Sequence, residues 1–127
     1  INNASVAANW LSAKGRVALL DIDYHCGNGT QDIFYDRADV LTISIHADPN
    51  VEYPHFWGYA SETGAGPGTG FHRNFPLEKG TDNARYLSAL EEALTNAYYF
   101  GNTYWWPNGG NAGGGGRCRH WQPVRTR

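Results

Sequence analysis

The stretch "LDIDYHCGNGTQ", Leu20 to Gln31, sets Asp21, Asp23 and His25 at alternate positions directly behind the apolar run "VALL". Carboxylate and imidazole donors suit a borderline cation such as zinc, with manganese or iron also served. In a strand, residues i, i+2 and i+4 face one way, so the three share a face if the strand persists through Tyr24. Two carboxylates buried together repel, and each resists ionisation; a bound cation removes that conflict. The "GNG" that follows lets the backbone turn sharply and pass close to the site. A plain structural alternative stands beside this. Asp21 caps a loop, Asp23 accepts from the Gly27–Gly29 amides, and His25 is an ordinary packed histidine. Parity behind a buried strand favours the metal. The set is incomplete by itself, because a catalytic zinc takes three protein ligands plus water.

The surrounding segments predict what must hold these residues. "NNASVAANWLSAKG" reads as a helix, with Asn2 or Asn3 as cap, Val6/Trp10 and Ala7/Leu11 at i, i+4, and Gly15 as stop. "RVALLDID" reads as a buried strand because its apolar residues run on without alternation. "NGTQDIFYD" reads as a short helix or helical turn, and "VLTISIHA" as a second strand bounded by "DPN". Helix, strand, helix, strand in this order predicts an α/β fold with a parallel sheet and crossover helices. From Asp48 to Pro76 periodicity is slight and glycines interrupt, which predicts a long functional loop. "TDNARYLSALEEALTNAYYFG" is the clearest helix, with Leu87, Leu90, Leu94 and Ala97 as its stripe and Thr81 or Asp82 as cap.

The chain has 127 residues, one domain's worth, and a net charge of −2, which argues against a basic nucleic-acid binder. No apolar run is long enough to span a membrane, and no signal peptide is visible. With only Cys26 and Cys118, no disulfide framework is expected, and a reducing, cytoplasmic setting is the default. The chain contains no Met, so its start is expected to be missing. Charge is uneven: residues 1–100 carry twelve Asp/Glu against six Lys/Arg, whereas 101–127 carry four Arg and no acid. The tail also holds seven of the sixteen glycines and three of the five tryptophans. We therefore divide the chain at residues 1–101 and 102–127. "NTYWWPNGGNAGGGGRCRHWQPVRTR" has no helical period and at most a trace of strand. A frameshifted, mis-assembled or disordered end is expected there, where an α/β domain normally adds another buried strand.

"DIDYHCGNGTQDIFYDRADVLTISIHADPNVEYPHFWGYASETGAG" resembles the zinc-dependent deacetylase family that includes the histone deacetylases, and within it the bacterial acetylpolyamine amidohydrolases. D-x-D-x-H, then G-N-G-T-Q, then S-I-H-x-D-P carry the resemblance, which runs from about Ile1 to Gly101. It implies a partial arginase/deacetylase-like fold, with Asp23 and His25 as two of three zinc ligands. Asp21 would stand behind them, orienting a catalytic histidine upstream. Asp21, Asp23, His25, Ser44 and the Ile45 carbonyl would hold a structural potassium ion. Tyr53 matches the aromatic wall of a narrow substrate tunnel, suited to the alkyl stem of an acetylated amine. The implied reaction is hydrolysis of the acetyl amide of an acetylpolyamine or acetyl-lysine. Zinc polarises the carbonyl, a histidine takes the water proton and a tyrosine donates to the oxyanion.

The chain departs from that pattern. The family's histidine pair would precede Ile1, the third ligand would fall where "NTYWWPNGG" stands, and the catalytic tyrosine would lie further on. The fragment is therefore expected to be inactive alone, and poorly soluble, with strand edges unpaired. Cys26 stands where the family more often has a second histidine, and is expected on the opposite face from the metal. Two rivals remain: an arginase-like di-manganese hydrolase, and a non-catalytic fragment whose Asp/His cluster is structural.

Other features point less far. His46 and Asp48 follow the second strand; by the resemblance they belong to the "SIHAD" strand end and its loop, and they read at least as readily as ordinary loop polars. His55, Phe56 and Trp57 line a tunnel mouth or pin a loop. Cys118 and His120 lack zinc partners at motif spacing. Trp105 and Trp106 with Arg117 and Arg119 lack the fold pattern of a nucleic-acid platform. The glycines at 64–70 lack the lysine of a phosphate loop.

Overall fold

A computed structural model describes residues 1–100 and the backbone of Tyr104–Asn108. Four parallel strands form one sheet in the order β3-β2-β1-β4, from β1 (Val17–Asp21), β2 (Val40–Ala47), β3 (His72–Leu77) and β4 (Tyr104–Asn108). Helices α1 (Asn3–Ser12), α2 (Asn28–Phe34) and α3 (Asn83–Tyr99) complete the order α1-β1-α2-β2-β3-α3-β4. The expected α/β fold with crossover helices is present. β4 runs beside β1 with Asp21 in register with Asn108, so five tail residues continue the sheet where the sequence offers only a trace of strand. The remaining tail features, Cys118, His120, Arg117 and Arg119 among them, lie outside the described residues, as do the side chains of Trp105 and Trp106.

The helices form where their caps allow. The Asn2 side chain accepts from the Ser5 amide at 3.0 Å, and Asp82 accepts from the Arg85 amide at 2.8 Å, each satisfying an orphan helix donor. The buried faces differ from the expected ones. In α1, Ala4, Ser5 and Ala8 are buried, while Val6 and Trp10 face outward and Lys14 Nζ sits 3.6 Å over the Trp10 ring. In α3, Ala89, Ala93 and Ala97 make the close contact, Leu90 and Leu94 flank it, and Leu87 is exposed. Small residues let both helices approach the sheet closely, so the larger apolar side chains are displaced to the flanks.

β3 occupies part of the segment expected as loop. "HRNFPL" hides its strand character because His72 and Asn74 point into a buried polar layer and Pro76 interrupts the pattern. Pro76 is tolerated because β3 borders β2 alone in the described sheet, and an edge strand can spare one amide donor.

The two sheet faces have different chemistry. On one, Ala18, Leu20, Leu41, Ile43, Ile45 and Leu77 pack against α3 and Phe100. On the other, Val17, Leu19 and Val40 pack against α1 and Phe34 at the amino ends of the strands. Toward the carboxyl ends that second face turns polar: Asp21 on β1, Thr42, Ser44 and His46 on β2, and His72 and Asn74 on β3, all buried.

Candidate active site

The polar half of that face leads to the carboxyl end of β1, where ligands of open α/β sheets sit. β1 ends at Asp21 rather than persisting through Tyr24, so strand parity does not align the three residues. Two consecutive side-chain turns do the positioning instead. Asp21 Oδ1 accepts from the Asp23 amide and Asp23 Oδ1 accepts from the His25 amide, both at 2.9 Å. These are Asx-turns, in which an aspartate stands in for a backbone carbonyl two residues back. The D-x-D-x-H spacing is thus realised as a loop. Asp23 bonds within it rather than to the Gly27–Gly29 amides.

The turns separate the carboxylates. Asp21 is 7 % exposed, and burial, ahead of its nearness to Asp23, pushes its pKa above the ordinary carboxylate value. The Asp23 and His25 side chains lie in the open, with Asp23 Oδ1 3.8 Å from His25 Nδ1. Gly27 keeps Asp21 free: a Cβ there would sit 2.6 Å from Asp21 Oδ2. A carboxylate oxygen and an imidazole nitrogen at this separation are a donor set that fits part of a zinc site. Among the described residues no three His, Cys, Asp or Glu groups gather as a metal cage.

Aromatic rings frame His25. Tyr24 meets it edge-on at 5.1 Å between centroids and Tyr53 at 5.9 Å. The Tyr24 carbonyl accepts from the Ala47 amide at 2.9 Å, which ties the turn to the end of β2. Phe56 and Trp57 are exposed on the loop that carries Tyr53. His55 pins that loop, its Nδ1 3.3 Å from the Pro49 carbonyl. Asp48 serves its own loop, accepting from both nitrogens of Asn50 at 2.8 Å. The glycine segment packs against backbone: a Cβ at Gly68 would lie 2.4 Å from the Tyr35 carbonyl.

Behind the site lies a polar layer whose extent the sequence does not announce. His46 is a strand residue, 2 % exposed, not a loop polar. Its Nε2 is 2.9 Å from the Gly58 carbonyl, which only accepts, so that nitrogen carries the proton. Burial lowers its pKa and keeps the ring neutral. Nδ1 therefore accepts from the Ser44 hydroxyl at 2.8 Å, and Ser44 Oγ accepts from the Gly27 amide at 3.3 Å. Glu62 Oε2 accepts from the Gly58 amide at 2.8 Å, Gln31 Nε2 at 2.9 Å and Asn74 Nδ2 at 3.2 Å. Burial, with Glu62 and Asp21 nearby, pushes the Cys26 thiol up to about 12, so it stays protonated. Cys26 faces this layer, where a Cβ at Gly58 would come within 2.9 Å of its sulfur. The alternation Thr42, Ser44, His46 on β2 was the available signal for the layer; Gln31, Glu62 and Asn74 carried none.

The Histone deacetylase domain model matches residues 1–102. The chain belongs to the histone deacetylase family. Acetylpolyamine amidohydrolase 2 of Pseudomonas aeruginosa is 59 % identical over 95 residues, covering 73 % of this chain and 28 % of the relative. The acetylpolyamine amidohydrolase of Mycoplana ramosa is 50 % identical over 103 residues, covering 80 % and 30 %. The acetylpolyamine aminohydrolase crystal structure from Burkholderia pseudomallei superposes with a TM-score of 0.76 at 44 % identity, over 79 % of this chain and 30 % of that one. This member of the histone deacetylase family thus spans under a third of the length of the relatives it matches. No helix among the described residues is long and apolar enough to cross a membrane.

Proposed function

We propose that this chain supplies part of the active site of a zinc-dependent amidohydrolase that cleaves the acetyl amide of an acetylated amine, an acetylpolyamine or acetyl-lysine. The observation that carries the reading is the Asp23–His25 pair, open at the carboxyl end of β1 and flanked by the Tyr53 ring. Asp23 and His25 would be two of three zinc ligands. A bound zinc would polarise the acetyl carbonyl and acidify a water. Tyr53 and Tyr24 would shed water from the alkyl stem. Asp21, buried behind the pair with Oδ2 clear of Gly27, would orient a basic group supplied from elsewhere in the domain. Asp21, Asp23, His25, Ser44 and the Ile45 carbonyl would hold potassium. The chain alone would be inactive, since a catalytic zinc takes three protein ligands and the described residues bring two together.

A chimaera tests this. Residues 1–100 replace the matching segment of the Pseudomonas aeruginosa acetylpolyamine amidohydrolase 2. The folded chimaera is expected to hold zinc and deacetylate an N-acetylated diamine. Asp23→Ala or His25→Ala should lose both, by roughly a hundredfold or more in activity. A folded chimaera whose zinc content is indifferent to both substitutions would overturn the ligand assignment.

A further inference from the structure

We propose that Glu62 is a positioning residue that sets the distance between the Tyr53 loop and the Asp23–His25 turn. Gly58 is the point it grips. Both backbone hydrogen-bonding groups of Gly58 are held, the amide by Glu62 Oε2 at 2.8 Å and the carbonyl by His46 Nε2 at 2.9 Å. No other residue fits, because Gly58 has φ +102° and a Cβ would stand 2.5 Å from His46 Nε2. From Gly58 one connection runs through His46 and Ser44 to the Gly27 amide, just past His25. The other runs through Glu62 to Gln31 on α2 and Asn74 on β3. The Tyr53 loop between β2 and Gly58 is thereby fastened to the same frame that carries the Asp23–His25 turn. Glu62 Oε2 thus draws on N–H donors from three separate segments, with Asn74 Nδ2 sharing its two hydrogens among Glu62, Gln31 Oε1 and the Tyr59 carbonyl. What it fixes is the edge-on seat of Tyr53 against His25, whose ring centroids are 5.9 Å apart. A Tyr53 ring held there keeps one fixed apolar wall beside the Asp23–His25 pair, along which an unbranched alkyl stem would lie. That consequence rests on the acetylated-amine reading; the clamp itself does not.

Amide hydrogen exchange on the complete chain separates the two. Glu62→Ala is expected to speed exchange across residues 50–58 by roughly tenfold, while β1 and β2 exchange as before. Glu62→Gln keeps an acceptor oxygen and should restore protection to within about threefold of the parent. Gln31→Ala, a milder cut that leaves two donors on Glu62, should give an intermediate rate and serves if Glu62→Ala does not fold. Unchanged exchange at 50–58, or equal acceleration in β1 and β2, would overturn the clamp. In the chimaera above, Glu62→Ala should raise KM for a linear acetylated diamine several-fold, with kcat and zinc content little changed. Loss of zinc there would instead make Glu62 a support of the metal pair and overturn the assignment to Tyr53.

Discussion

The two faces of this sheet are both buried and are held by different forces. The α3 face is a continuous apolar contact, formed by Leu41, Ile43 and Ile45 over Ala89, Ala93 and Ala97. The opposite face begins the same way under α1 and then becomes a hydrogen-bonded layer of Thr42, Ser44, His46, His72 and Asn74. Apolar packing tolerates small shifts of its members. A buried polar layer does not, because each misplaced group forfeits a partner that water cannot replace. The face that leads to the Asp21–His25 turn is the one built from directional bonds.

Substitutions can break that contrast, beginning with the largest effect. Ile43→Ala on the apolar face should cost about 2–5 kcal/mol of unfolding free energy in urea, the range for a cavity in a packed core. It should leave exchange in the Tyr53 loop local and slow. Acid should act on the other face. Burial lowers the pKa of His72 to about 4, from an ordinary value of 6.5. The unfolded chain then binds the extra proton first. Stability is full above pH 6.5 and falls as pH drops toward 4, by up to about 1.4 kcal/mol per pH unit. His46, lowered for the same reason, adds in the same direction, and Asp21, raised by burial, opposes it. His72→Gln should flatten the slope between pH 4 and 6.5; an unchanged slope would mean the proton uptake lies elsewhere. Gly58→Ala forces a side chain against His46 at a left-handed φ and should cost about 1–3 kcal/mol, read as a lower urea midpoint. Asp23→Ala should change stability least, by about 0.5–1 kcal/mol, because its exposed side chain contributes one hydrogen bond, to the His25 amide. The same substitution should abolish zinc uptake in the chimaera.

The apolar face was the more legible in the sequence. "VALL" and "VLTISIHA" declare β1 and β2, and the long 83–99 helix declares α3. Which side of that helix packs was not declared. Leucine periodicity points to Leu87, whereas close approach to the sheet selects alanines, a choice only the tertiary contact makes. The motif residues Asp21, Asp23 and His25 were identifiable by type and spacing. Their placement was not, because strand parity stops at Asp21 and two Asx-turns take over. β3 stayed hidden because its inward residues are His72 and Asn74, which belong to a buried polar layer instead of a hydrophobic pattern. Glu62 and Gln31 are contacts between segments distant in the chain, and one-dimensional pattern carries no trace of them.

The double Asx-turn has an evolutionary consequence. Each turn needs one side-chain oxygen facing an amide two residues on, and asparagine provides that oxygen as well as aspartate does. Folding is therefore nearly blind to an Asp-to-Asn change at positions 21 and 23. Only a requirement for negative charge distinguishes the two residues. A lineage freed from that requirement would drift to asparagine at these positions without its sheet registering the change.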